Sequence, residues 1–292
     1  MTKIAFIGLG SMGGPMARNL LKHSFEVQGF DIAAKSLADL QAAGGTLAAS
    51  AAGACAGANF VVLMVVDAAQ AQSVLFTDGA LAAAPPDATV CLMATCPPKS
   101  VESIAARVTA TGRGFIDAPV SGGTAGATAG TLTIMAAAPQ SIFEAAQPIF
   151  KAMGDRVFHI GEHPGQGAVV KTVNQLLCGV HIAVAAEAFS LAEKAGVDAA
   201  RMLDILSGTS ASSWMLKDRG PRMIMVDDPE AFSTVDIFVK DLGIVLEAGR
   251  ETKAALPFAA LSHQLFLSVS GHGDGQVDDS QVIRAYRALN GG

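Results

Sequence analysis

The stretch Lys3-Ile4-Ala5-Phe6-Ile7-Gly8-Leu9-Gly10-Ser11-Met12-Gly13-Gly14-Pro15-Met16-Ala17 constrains this chain more than any other. Strand-favouring apolar residues run straight into Gly-x-Gly-x-x-Gly, and a helical pattern follows with Met16, Leu20 and Leu21 on one face. Each glycine answers a separate physical need. Gly8 permits the tight turn, Gly10 lets a pyrophosphate approach the backbone, and Gly13 lets the helix pack closely on the strand. Ser11 and Met12 lie on the same turn and join the glycines as candidate cofactor contacts, with the anion seated on the helix N-terminus. A second apolar run, Val27 to Phe30, ends in Asp31, roughly 20 residues beyond the turn, where an acid meets an adenosine ribose. Glycines alone are a weak signal in a chain that holds 31 of them. Strand, helix and acid together predict a dinucleotide site, the alternative being a strand-turn-helix that binds no phosphate.

The length of 292 residues suggests two domains, at about 150 residues each. Hydrophobic residues make up 51% and charged residues 16%, enough for a large core and against disorder. A net charge of -6 argues against a nucleic-acid partner, which needs a basic face. Mean hydropathy of +0.41 raises the question of a membrane. No apolar run is read as approaching the roughly 20 residues of a spanning helix. The run 60–66 stops at Asp67, and 176–189 is broken by His181 and Glu187. The first strand begins at residue 3, which leaves no room for a signal peptide. Cys55, Cys91, Cys96 and Cys178 lack metal-type spacing and read as reduced thiols, so no metal and a cytoplasmic location are expected.

From residue 3 to about 160, short apolar runs alternate with helix-like segments, the pattern of a parallel sheet with crossover helices. Strands are expected at 3–8, 26–31, 59–66, 88–93, 114–118, 131–137 and 156–159, with alanine-rich segments such as 33–43 and 98–110 between them. The pattern changes near Gly161. A helical stretch from 165 to about 195, with one interior glycine at Gly179, exceeds the typical helix of about 11–12 residues. Helical segments follow at 198–207, 212–225, 237–253, 257–270 and 280–289. The expected architecture is α/β: a Rossmann-type, doubly wound parallel sheet domain over 1–162, then an all-α domain over 163–292, joined by the long helix.

Further motifs fall where such a sheet presents its carboxyl edge. Thr95, leaving the strand 88–93, is a small hydroxyl placed to contact the ribose or nicotinamide, or equally to cap the helix ahead of Pro97. Asp117-Ala118-Pro119-Val120-Ser121-Gly122-Gly123 follows another strand. Its glycine pair exposes N–H groups and Ser121 adds a hydroxyl, a combination that receives a small carboxylate without a cation, unless it is only a tight turn. Lys171 and Asn174 are three apart and share a helix face. A lysine among apolar neighbours is desolvated, which favours its neutral form and makes it a usable general base, the plain alternative being a solvated surface charge. His181 and Glu187 read as core or interface groups. Lys240-Asp241-Leu242 opens a later helix, Asp241 as a first-turn acid, with Lys240 able to reach the cofactor.

These motifs stand in one order: Gly8-x-Gly10-x-Met12-Gly13-x-Pro15-Met16-Ala17-x-Asn19-Leu20, Thr95, the loop 117–123, Gly165-x-Gly167-x-x-x-Lys171-x-x-Asn174, and Lys240-Asp241-Leu242. The chain thereby resembles the β-hydroxyacid dehydrogenases, the family of 3-hydroxyisobutyrate dehydrogenase and tartronate semialdehyde reductase, over essentially its whole length. The resemblance implies an NAD cofactor and a small hydroxyacid substrate. It makes Lys171 the lysine that exchanges a proton with the substrate hydroxyl, and Asn174 its substrate-binding partner. It also implies that Ser121, Gly122 and Gly123 hold the substrate carboxylate, that Thr95 and Lys240 touch the cofactor, and that the chain assembles as a homodimer or homotetramer. Two departures stand out. Asn174 is followed by Gln175 where many members have a second asparagine, and Phe30-Asp31-Ile32-Ala33 lacks the arginine many carry there. The run 173–183 looks most like the L-threonate dehydrogenase branch, which implies oxidation of a four-carbon sugar acid at C2. A semialdehyde reductase running the opposite way, and a dinucleotide-binding protein without catalysis, are the alternatives. The scaffold has no need of Lys171 with Asn174 and the Ser121 loop. Asp31 favours NAD over NADP, with Lys35 the nearest cation able to blunt the discrimination.

Overall fold

The computed structural model describes residues 2–225 and 227–291. Among them, strands β1 (Lys3–Ile7), β2 (Glu26–Phe30), β3 (Thr46–Leu47), β4 (Phe60–Leu63), β5 (Thr89–Leu92), β6 (Gly114–Asp117), β7 (Val120–Ser121), β8 (Thr133–Ala137) and β9 (Arg156–Gly161) form one sheet. Its order is β3-β2-β1-β4-β5-β6-β8-β7, with β9 on β8. The strands from β3 to β6 run parallel. Because β1 lies between β2 and β4, the order reverses beside it, and the glycine turn sits at that switch point.

Side chains alternate across the sheet and bury on both faces, as a two-sided parallel sheet requires. Ile4, Phe6, Val62 and Ile116 face one core with Met16, Ala17 and Leu20 of the helix Gly13–Lys22 and with Phe150 and Met153 of the helix Gln140–Met153. Ala5, Ile7, Val61, Leu63, Val90, Leu92 and Phe115 face the other, with Val101, Ile104 and Val108 of the helix Pro98–Thr109. Burying one such large side chain contributes about 1.5–3 kcal/mol.

Three features depart from the pattern-based expectation. The strands Thr46–Leu47 and Val120–Ser121 are two residues each, too short for any periodicity to show. The run 59–66 is a strand only over Phe60–Leu63, because the chain from Met64 passes over the Gly8 turn. Finally, β8 pairs antiparallel with β6 and β7. The connection 122–132 carries just the helix Gly123–Ala129, and a parallel return needs a crossover of about a dozen residues or more.

The long helix runs Gln166–Lys194. Gly196 ends it with a φ of +72°, its N–H donating to Glu193 while the Val197 N–H reaches Ala192. By length and composition this helix is long and apolar enough to cross a membrane, contrary to the expectation that no stretch approaches that. Half of its most apolar window is buried, and Ile182, Ala186 and Phe189 pack into a helical core.

The chain divides into two compact units, Met1–Lys171 and Thr172–Gly292, with the break inside the long helix. The second unit contains the helices Ala199–Gly208, Trp214–Met223, Val235–Thr252, Pro257–Val269 and Ile283–Leu289. Its apolar core, with Phe238, Leu242 and Phe266, surrounds a buried ionic staple. Arg219 donates from Nε to Asp279 Oδ1 at 2.7 Å and from a terminal nitrogen to Oδ2 at 2.8 Å, while Arg222 donates to Asp278 at 2.9 Å. Removing one partner strands a buried charge. Arg219→Ala is therefore expected to destabilise the protein by about 3–5 kcal/mol in urea unfolding, and a loss below about 1 kcal/mol would contradict this view of the staple.

Candidate active site

At the end of β1, Gly8 has a φ of +92°, and a Cβ there would lie 2.4 Å from the Met64 carbonyl oxygen. A Cβ on Gly13 would lie 1.9 Å from the carbonyl oxygen of Gly8. The fold itself thus demands glycine at both positions. Gly10 differs, since a Cβ there would meet no atom within 4 Å. The open space beside it suits the approach of a dinucleotide pyrophosphate. The helix Gly13–Lys22 that follows has Met12 at its N-cap and no side-chain cap, and Ser11 is exposed on the turn. Its first N–H groups and dipole are a ready seat for an anion.

Asp31 closes the turn from the side. One carboxylate oxygen accepts the Leu9 N–H at 2.6 Å and the other accepts the Ala33 N–H at 2.7 Å. Ala33 is the N-cap of the helix Ala34–Ala42. Each oxygen keeps a lone pair for a ribose hydroxyl. Lys35 lies 2.8 Å from Asp39 in an exposed pair on its own helix, and Ile32 beside Asp31 is 97% exposed.

Thr95 is half-buried between β5 and the helix Pro98–Thr109, whose N-cap is Pro97. Ser121 ends β7, and Gly122 and Gly123 follow with φ of +129° and +61°. Both glycines take left-handed backbone that other residues rarely adopt. The helix Gly123–Ala129 that they open has no side-chain cap either. It is anchored by Asn19 of the glycine-turn helix, whose buried side-chain amide donates to the Ala127 carbonyl at 2.8 Å. Nothing local in the sequence marks Asn19 as this tie, because its partner lies more than a hundred residues away.

Lys171 is 7% exposed, which removes the reading of a solvated surface charge. One turn earlier in its helix, Asp117 at the end of β6 accepts the N–H groups of Gly165 and Ala168, each at 2.9 Å. Burial pushes the Asp117 carboxyl up to about 6, against the pull of those bonds and one from Gly167. Asn174 donates to Gln175 at 2.8 Å and to Cys178 Sγ at 3.3 Å. Gln175 in turn donates to Asp241 at 2.5 Å, and Lys240 pairs with the other oxygen of Asp241 at 2.7 Å. The second unit therefore brings Asn174, Gln175, Lys240 and Asp241 into one chain of bonds. Gln175 was not among the candidate site residues. Its spacing of four from Lys171, one helical turn, was the available signal.

Among the described residues no group of three His, Cys, Asp or Glu side chains forms a metal-type cluster. Among the described residues the cysteines form no disulfide, and Cys55, Cys91 and Cys96 are buried.

Residues 3–161 match the family model described as the NAD binding domain of 6-phosphogluconate dehydrogenase. Residues 165–286 match that described as NAD-binding of NADP-dependent 3-hydroxyisobutyrate dehydrogenase. The chain is 40% identical over 287 residues to an L-threonate dehydrogenase of Cupriavidus necator, which covers 98% of this chain and 96% of that one. It is 36% identical over 290 residues to a 2-(hydroxymethyl)glutarate dehydrogenase of Eubacterium barkeri, with 99% and 96% covered. The crystal structure of a 3-hydroxyisobutyrate dehydrogenase from Salmonella typhimurium superposes with a TM-score of 0.93 at 38% identity, covering 97% of this chain and 99% of that one.

The geometry at Asp31 predicts cofactor choice. A carboxylate facing a 2′-phosphate sets like charges together, and Ile32 offers no cation to meet one. The ratio kcat/KM should favour NAD over NADP. Asp31→Ala should narrow the gap by lowering the NAD value about 10–100-fold, the loss of hydrogen bonds to a charged group. A wild type that prefers NADP would overturn this assignment of Asp31.

Proposed function

We propose a reaction from one premise: this chain belongs to the 3-hydroxyisobutyrate dehydrogenase family and is an NAD-dependent hydroxyacid dehydrogenase. The substrate we propose is L-threonate, oxidised at C2 to its 2-oxo acid. Identity of 35–40% to L-threonate dehydrogenases from several bacteria, over nearly the full length, supports that choice.

The burial of Lys171 carries the mechanistic reading. In a site with little water, its amine in the neutral form accepts the proton of the substrate hydroxyl. NAD held at the glycine turn and by Asp31 would supply the hydride acceptor for the same carbon. Ser121 and the N–H groups of Gly122 and Gly123 hold the substrate carboxylate and so fix which carbon faces the nicotinamide. Asn174 orients the substrate beside the lysine. The glycine turn with Ser11 and Met12 seats the pyrophosphate, Asp31 takes the ribose, and Thr95 and Lys240 complete the cofactor contacts. No metal enters this scheme.

We assign cofactor binding to 1–162, and substrate binding and assembly to 163–292. A homodimer or homotetramer is supported by the long helix, where Val169, Val173, Leu177, Val184 and Leu191 are all exposed along one face. A cytoplasmic location is in keeping with cysteines that form no disulfide among the described residues.

Two measurements bear on this reading. Lys171→Ala should lower turnover by roughly 10²–10⁴-fold, the usual contribution of a positioned base, while NADH binding stays normal. Near-normal turnover in the folded variant would defeat the mechanism. The second concerns substrate. Across a panel of C3 to C6 hydroxyacids, kcat/KM should be higher for L-threonate than for 3-hydroxyisobutyrate, and the reverse order would overturn the substrate but not the chemistry.

A further inference from the structure

The first N–H groups of an α-helix have no partner inside it. At the start of the long helix the N-cap position is Gly165, which has no side chain to supply one. The acceptor comes instead from 48 residues earlier: Asp117 Oδ2 takes the N–H groups of Gly165 and Ala168. The Gly167 N–H adds to the same carboxylate. Contact at this point leaves no slack. A Cβ on Gly167 would sit 2.5 Å from the Met135 carbonyl oxygen and 2.8 Å from that of Asp117.

We propose that Asp117 is the positioning residue for Lys171, its carboxylate fixing the first turn of the long helix against the sheet edge from which the Ser121 loop departs. The inference rests on the reading of Lys171 as proton acceptor. The backbone of Asp117 is held in the sheet by its places opposite Leu92 of β5 and Ala137 of β8. Ser121 lies four residues after it, and Lys171 lies three residues, one helical turn, after Ala168. One side chain thus sets both the substrate loop and the lysine from a common origin.

The charge of Asp117 does not serve stability. Asp117 is 1% exposed, and burial pushes its carboxyl up to about 6. An acid whose folded value lies above its unfolded value favours folding most at low pH. That contribution is lost as pH rises from the ordinary carboxylate range through about 6. At neutral pH the ionised group therefore subtracts from stability, and a neutral isostere does not. The titratable groups around it are Cys91 of β5, whose thiol burial pushes up and which the Asp117 charge pushes further, and Glu102, whose side chain packs at Gly165.

The test is Asp117→Asn, with Lys171→Ala in parallel, measuring Tm, NADH affinity and kcat from about pH 5 to pH 8. The expected variant folds with an undiminished Tm and binds NADH normally. Its kcat falls about 100-fold, as a misplaced catalytic group commonly costs. A kcat close to wild type, or loss of Tm and NADH affinity in step with activity, overturns the proposal and leaves Asp117 a merely structural cap. If Asp117→Asn does not fold, Asp117→Glu decides, because it keeps the charge and moves the carboxylate by one methylene: a lowered kcat with NADH affinity held supports positioning, and a wild-type kcat refutes it. Inactive Lys171→Ala beside active Asp117→Asn sinks only this inference, whereas active Lys171→Ala sinks the reading beneath it.

Discussion

Every helix begins with backbone N–H groups that need an acceptor, and the way each helix start in the sheet unit meets that need organises its chemistry. The helix Gly13–Lys22 and the helix Gly123–Ala129 begin without a side-chain cap, each behind glycines in left-handed or tightly packed backbone. Such starts suit anions: a pyrophosphate at the first and a substrate carboxylate at the second. The long helix begins differently, with Asp117 filling its N-terminus, and the side chain it presents one turn later is a lysine. On the proposed reading the first two starts meet ligands, while Asp117 closes the third ahead of Lys171.

The ties between these starts run through polar side chains. Asn19 joins the glycine-turn helix to the helix behind Ser121, and Asp31 joins the glycine turn to the end of β2. A displaced glycine turn would therefore be felt at the helix behind Ser121. In the second unit the bonds from Asn174 through Gln175 to Asp241 and Lys240 form a comparable line, built on the position where the chain departs from the double asparagine of many relatives.

Much of this was legible in the sequence, and the limits are physical. The glycine turn, the acid after β2 and the change to helical periodicity near Gly161 declared the α/β sheet and the helices after it, because each follows from local pattern. The two-residue strands Thr46–Leu47 and Val120–Ser121 were not legible, since a period of two needs more residues to show. Strand direction also leaves no local mark, so the antiparallel turn at β8 emerged only in the fold. Spacing alone favoured a solvated surface charge at Lys171, and its burial removes that reading. Asp117 was seen as the first residue of a loop, because its partners lie some fifty residues away.

On the proposed reading Lys171 acts by accepting a proton and not by its positive charge alone. Lys171→Arg separates the two, because a guanidinium keeps the charge and nearly the reach of lysine yet does not give up its proton in a protein. Single-turnover formation of NADH from L-threonate is the direct readout. Lys171→Arg is expected to bind NADH normally but to form it at least about 100-fold more slowly than wild type. Formation at a rate near that of wild type would contradict that reading.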